Sequence, residues 1–154
     1  MNREILFRGK RLDKFKPGEW IYGYYVPCCF GSFPCRPAIV PEPDGKWEPF
    51  EVDPATVGQY TGLTDIKKHK AFVDDIVRYK NAHTVYGIIR FGEIPDQENR
   101  LKHIGYYIEW QNDGANMWRD WWRCDLGYWI ENPDCEICGN IHDNPELMGG
   151  EDDG

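Results

Sequence analysis

Cys135-Glu136-Ile137-Cys138 with His142 is the part of the sequence best suited to hold a metal. Two thiolates at Cys-x2-Cys spacing can share one tetrahedral Zn²⁺, and His142 or Cys124 could complete the set. Against zinc stand the missing second Cys-x2-Cys pair and the habit of a buried cysteine to pack as a small hydrophobe. No cofactor is therefore expected, with zinc as the alternative. Cys28, Cys29 and Cys35 flank a proline-rich loop in which only Arg36 could lower a thiol pKa, so packing is expected there too. Asp74-Asp75 with His69 or His83 could bind a divalent cation or act as acid and base. Paired acids beside a strand are more often solvated turn residues. Five of the seven tryptophans lie between 110 and 129. Trp118, Trp121, Trp122 and Trp129 are either core or a subunit or partner interface, and both readings stand. No phosphate-binding glycine loop, His-Glu-x-x-His or Gly-x-Ser-x-Gly occurs, so no catalytic residue is assigned and catalysis is not the leading expectation.

The chain that must position these residues has 154 of them, enough for one domain with its own core. One unit over 1–148 is expected, with 1–60 and 61–148 as subdomains in the alternative, and 149–154 as a disordered acidic tail. No apolar run reaches the ~20 residues of a membrane span, and the N-terminus lacks a signal peptide's apolar region. The expectation is a protein of the cytosol, without membrane contact, whose cysteines are thiols or metal ligands rather than disulfides. The net charge is −8 and uneven. Residues 1–77 hold 11 basic and 11 acidic side chains, and residues 78–154 hold 7 and 15, so that 7 − 15 gives the whole −8. Residues 1–16 carry six Lys/Arg against two acids, and Lys67-Lys68-His69-Lys70 is a second basic cluster. An acidic protein repels phosphate backbones at long range, so nucleic acid is an alternative partner rather than the favoured one.

Turn residues and period-two patterns predict a mainly β protein, a small barrel or a set of hairpin sheets with one to three short helices. Ile5–Phe7 and Glu19–Val26 read as an N-terminal hairpin, with Trp20, Tyr22, Tyr24 and Val26 on one face. Gly23 on the other face signals a bulge or a close approach by another chain. Ala38–Val40, Lys46–Val52, Asp75–Tyr79, Thr84–Phe91, Ile104–Trp110, Tyr128–Ile130 and Glu136–Ile141 read as further strands. Thr84–Phe91 is apolar on both faces and reads as central. Asp53-Pro54 and Asn144-Pro145 carry the cap-plus-proline signature of helical turns. Residues 61–65 and 93–102 read as loops, and 115–125 as a short helix.

Three stretches in order resemble the YopX family of phage and prophage proteins. They are Ile5-Leu6-Phe7-Arg8-Gly9-Lys10-Arg11-Leu12-Asp13 leading to Gly18–Tyr24, then Val52–Asp65 followed by Asp75-Ile76-Val77, and finally Gly139-Asn140-Ile141-His142-Asp143-Asn144-Pro145-Glu146-Leu147. The chain departs from the family at Lys67–Lys70, where a glycine-bearing turn is usual, and at Asp74, where glycine is typical. Glycine at such points often serves a positive φ. The resemblance implies a small β-rich phage-type protein and no activity that can be assigned residue by residue. The leading expectation is a non-enzymatic protein that binds itself, as a homo-oligomer, or another protein in a bacterial host. A nucleic-acid accessory role and a small metal-dependent hydrolase are the alternatives.

Overall fold

A computed structural model describes residues 4–28, 36–41, 48–81, 84–94, 103–111 and 125–149. The expected helix at 115–125, Trp118, Trp121, Trp122, Cys124, Cys29, Cys35, His83, most of the 93–102 loop and the tail from Gly150 lie outside these residues. The chain divides into two units, Met1–Gly62 and Leu63–Gly154. The class is mainly β, as expected. Its strands form antiparallel sheets, and among the described residues neither sheet closes into a barrel. No helix among them is long and apolar enough to cross a membrane.

In unit 1, β1 (Phe7–Lys10) and β2 (Trp20–Val26) form the predicted hairpin, in the register Phe7↔Gly23, Arg8↔Tyr22, Gly9↔Ile21 and Lys10↔Trp20. β3 (Ala38–Pro41) and β4 (Phe50–Glu51) extend the sheet on one side, and β5 (Gly58–Thr64) pairs with β1 on the other. The order is β4-β3-β2-β1-β5. Ala38, Ile39, Val40 and Val52 are almost wholly buried. Each such branched apolar side chain contributes on the order of 1.5–3 kcal/mol. Asp53 accepts the amide of Ala55 and starts the turn Pro54–Thr56, as its sequence predicts. The segment after it is a correction. Residues 61–65 read as loop, yet Gly58–Thr64 is a strand, paired with β1 through Gly58 and Gln59 and neighboured on its other side by Lys70–Phe72, partners that local sequence cannot reveal.

In unit 2 a turn leads from β5 into β6 (Lys70–Phe72), a strand to which the sequence gives no signal beyond the turn at Lys67–Lys70. β7 (Asp75–Lys80), β8 (Thr84–Glu93), β9 (Ile104–Trp110) and β10 (Cys135–Asn140) form a sheet in the order β10-β7-β8-β9. β8 is internal, as its two apolar faces predict. Tyr128–Ile130 is a second correction. It belongs to a helix, α1 (Leu126–Ile130), started by Asp125, whose carboxylate accepts the Tyr128 amide. Leu126, Trp129 and Ile130 stand at helical spacing and enter a core with Ala71, Val77, Tyr79, Ile89, Ile108 and Cys135. Trp129 meets Tyr79 edge-on at 5.6 Å and Trp110 at 5.2 Å, contacts worth about 0.5–1.5 kcal/mol each beyond burial.

Gly23 is buried, and a Cβ there would overlap the backbone carbonyl of Val40 on β3. The close approach is therefore made by a strand of the same sheet. Gly23→Ala should force β2 and β3 apart and cost about 1–3 kcal/mol in urea denaturation. Gly127→Ala on α1, where a Cβ meets nothing within 4 Å, should be neutral or stabilising. Equal effects of the two would contradict the pairing of β2 with β3.

Candidate functional site

Cys135 points into the core of unit 2, opposite Tyr79. Burial, and then the charge of Asp134, push its thiol up to about 12, which makes it a packing residue rather than a nucleophile. Cys138 stands where the register between β10 and β7 slips, 3.6 Å from the carbonyl oxygen of Ile76, and burial raises its thiol too. His142 lies beyond the end of β10, with Nε2 3.2 Å from Asp74. Among the described residues no three His, Cys, Asp or Glu side chains gather as a metal site. Cys28 is disulfide-bonded, unlike the thiol expected from compartment alone. Compartment is a prior on cysteine chemistry and does not fix any one residue.

Asp74 and Asp75 separate instead of pairing. Asp75 is buried and accepts the amide of Phe72 at 2.8 Å, closing the turn into β7. Asp74 adopts φ +75°, the left-handed region that glycine favours and the family's glycine position implies. Its two oxygens are taken, Oδ1 by Arg90 at 3.1 Å and Oδ2 by His142. Arg90 also reaches Glu109 at 3.1 Å, so Glu109, Arg90, Asp74 and His142 form one hydrogen-bonded chain. A carboxylate held on both sides in this way fixes a loop. The loop is the third family stretch. Asn140 accepts the amides of His142 and Asp143, Asn144 accepts that of Asn140, and a Cβ at Gly139 would overlap the Asn144 carboxamide. These residues set the backbone that carries His142.

His69 does not join the paired acids. Its Nδ1 lies 2.9 Å from Asp65, whose side chain is wholly buried. Asp65 also accepts the amides of Lys67, His69 and Ile137. Burial pushes its carboxyl up, but the His69 amide, the His69 ring and the Ile137 amide outweigh burial and hold it below the ordinary value. Lys68, inside this turn, has φ +70°. Lys67 pairs with Glu136, which also meets Arg78. Trp129 is 4% exposed and belongs to the core, so it is not an interface residue of the folded chain.

The surface with the most unusual composition lies in unit 1. Trp20, Tyr22 and Tyr24 alternate along β2 and so share a face. Arg8 and Lys10 stand opposite Tyr22 and Trp20 on β1. The Arg8 guanidinium lies 4.6 Å and the Lys10 ammonium 5.4 Å from the Trp20 ring centre. At the hairpin tip, Phe15 between Lys14 and Lys16 is 89% exposed, while Tyr22 and Tyr24 are 45% and 46% exposed. The tip is clamped. Asp13 accepts the amides of Phe15 and Lys16, and the Arg11 guanidinium holds its carboxyl down at about 2. Gly18 at φ +82° turns the chain into β2. The aromatic alternation and the basic excess of residues 1–16 were both legible in the sequence. The register that sets them side by side was not.

A family model described as YopX protein matches residues 37–149. No curated protein matches the chain.

Two predictions follow from unit 2. Asp74→Gly and Asp74→Ala both lose the Arg90 and His142 contacts, but only alanine keeps the left-handed strain. The glycine variant should be the more stable of the two by about 1 kcal/mol in chemical denaturation, and equal stabilities would show that φ at residue 74 relaxes. Because the Asp65 carboxyl is depressed in the folded state, its stabilisation is present above the unfolded value near 4 and is lost as pH falls below it. Asp65→Asn should be less stable at pH 7 by about 1–3 kcal/mol and flatter in stability between pH 5 and about 2. An unchanged acid slope in that variant would remove Asp65 from the acid response.

Proposed function

The chain belongs to the YopX family, and from that footing we propose that it is a phage-type, non-enzymatic binding protein whose working surface is the cation–aromatic face of unit 1. One observation carries the reading: Phe15, Tyr22 and Tyr24 stay exposed on a clamped hairpin and a regular strand, with Lys14 and Lys16 flanking Phe15 in sequence and Lys10 opposite Trp20 in the strand. Large exposed apolar groups grouped on a rigid element mark interaction sites. The side chains with chemical potential in unit 2 support the same reading from the other side. Asp65, Asp74 and Asp75 are each taken up by named donors that hold turns and loops. The tryptophan-rich segment first suggested an interface between copies, but Trp129 is core and Trp118, Trp121 and Trp122 lie outside the described residues. The aromatic surface supporting a binding role is therefore that of Trp20, Tyr22, Tyr24 and Phe15.

A working surface must be dispensable for folding. The triple variant Phe15→Ser/Tyr22→Ser/Tyr24→Ser should fold with wild-type circular dichroism and lose less than about 2 kcal/mol of stability, since substitutions at exposed positions cost little. Trp129→Ala in the core should cost about 3–5 kcal/mol. A triple variant as damaged as Trp129→Ala would mean that these aromatics serve the fold.

A further inference from the structure

We propose that the ligand of this face is a single-stranded nucleic acid, with bases stacked on Tyr22, Tyr24 and Phe15 and phosphates met by Lys10, Lys14 and Lys16. The proposal rests on the face being the working surface. Same-face residues of a strand stand about 6.6 Å apart, so an extended polynucleotide with splayed bases can set successive bases on successive rings. Stacking needs only a base's π-face, which suits a row of aromatics without a polar pocket to read base edges.

The charge is arranged to match. Residues 1–16 hold six basic and two acidic side chains. The remainder of unit 1, residues 17–62, holds two and six, so the cations of this unit are concentrated on the hairpin. At the tip, Asp13 is taken by Arg11, and Glu19 faces Lys16 at 3.7 Å in an exposed pair that phosphate can displace. Arg8 is buried, so it fixes the Trp20 ring rather than meeting phosphate. Paired bases inside a duplex cannot reach the rings, which makes the single strand the preferred form. A lysine-flanked Phe15 would also suit an anionic lipid surface, but the aromatics continue down β2 for three alternate positions, where a bilayer contact would need only the tip.

The test uses the full-length chain and fluorescence anisotropy with labelled oligo-dT and oligo-U of roughly 20 nucleotides, a size that exceeds one binding site. A duplex of the same length and vesicles of phosphatidylserine and phosphatidylcholine serve as competitors. Both single strands should bind at low salt, at least tenfold tighter than the duplex. Tyr22→Ala/Tyr24→Ala should weaken binding by about thirtyfold or more, two stacked bases lost, with little change in salt dependence. Lys14→Gln/Lys16→Gln should reduce the log–log salt slope by about 1.4, two phosphate contacts at about 0.7 each. No binding at low salt, binding to duplex and single strand alike with the tyrosine variant silent, or binding to vesicles alone would each overturn the proposal. In all three cases a folded Phe15/Tyr22/Tyr24 serine variant would leave the working-surface reading standing, so the two fail separately.

Discussion

Unit 2 is organised around one buried carboxylate. An ion of this size taken out of water costs several kcal/mol unless donors replace the lost hydration. Asp65 obtains them from the amides of Lys67 and His69, the ring of His69 and the amide of Ile137. The first three define the turn after β5 and leave Lys68 in a left-handed conformation. The fourth belongs to β10, the outer strand of its sheet. An outer strand presents amides that no ladder satisfies, and these invite pairing with other chains. Asp65 occupies one of them, and Lys67 binds Glu136 next to it. The same residue thus shapes a turn and closes part of a sheet edge.

The two non-glycine residues with positive φ among the described residues, Lys68 and Asp74, fall in the two stretches where the sequence departs from its family resemblance. Left-handed backbone costs an L-residue on the order of 1–2 kcal/mol. A residue other than glycine in that conformation requires compensation on the spot. For Lys68 the compensation is the donor set of Asp65 around it. For Asp74 it is the side chain itself, bound by Arg90 and His142, and a backbone tied to Ile89 and Ile141. His142 is therefore better explained as a support for this turn than as a ligand beside Cys135 and Cys138.

What was legible in the sequence was whatever one segment decides alone. Period-two aromatics gave β2, the cap-plus-proline pair gave the turn at Pro54, the proline gave the turn Pro145–Leu147 although Asn144 does not cap it with its side chain, and two apolar faces gave the internal position of β8. Thr61–Thr64 was misread because two glycines and two threonines in Gly58–Thr64 look like loop until β1 and β6 stand on either side of the strand. Tyr128–Ile130 was misread because three apolar residues have no period. Only Asp125 and the core contacts of Leu126 and Trp129 make them helical. Among the described residues Cys135 and Cys138 gather no metal-binding cluster, and Cys124 lies outside them. A register slip between Ile137 and Gly139 changes the face each residue presents, and spacing carries no trace of it.

A net charge of −8 does not decide what the hairpin of unit 1 can bind. At physiological ionic strength charges are screened beyond about 8 Å, so a ligand at the face responds to the nearest side chains. Unit 1 carries eight basic and eight acidic side chains, six of the basic ones in residues 1–16, and the acid at the hairpin tip, Asp13, is paired with Arg11. That clamp has a second effect. With its carboxyl held at about 2, Asp13 remains ionised through any ordinary pH and keeps both of its amide bonds. Phe15 is consequently presented without the ordering cost that a loose loop would incur on binding. An aromatic side chain left in water on a flexible loop needs no explanation beyond tolerance. One held there by an ion pair, two amide bonds and a left-handed glycine is placed.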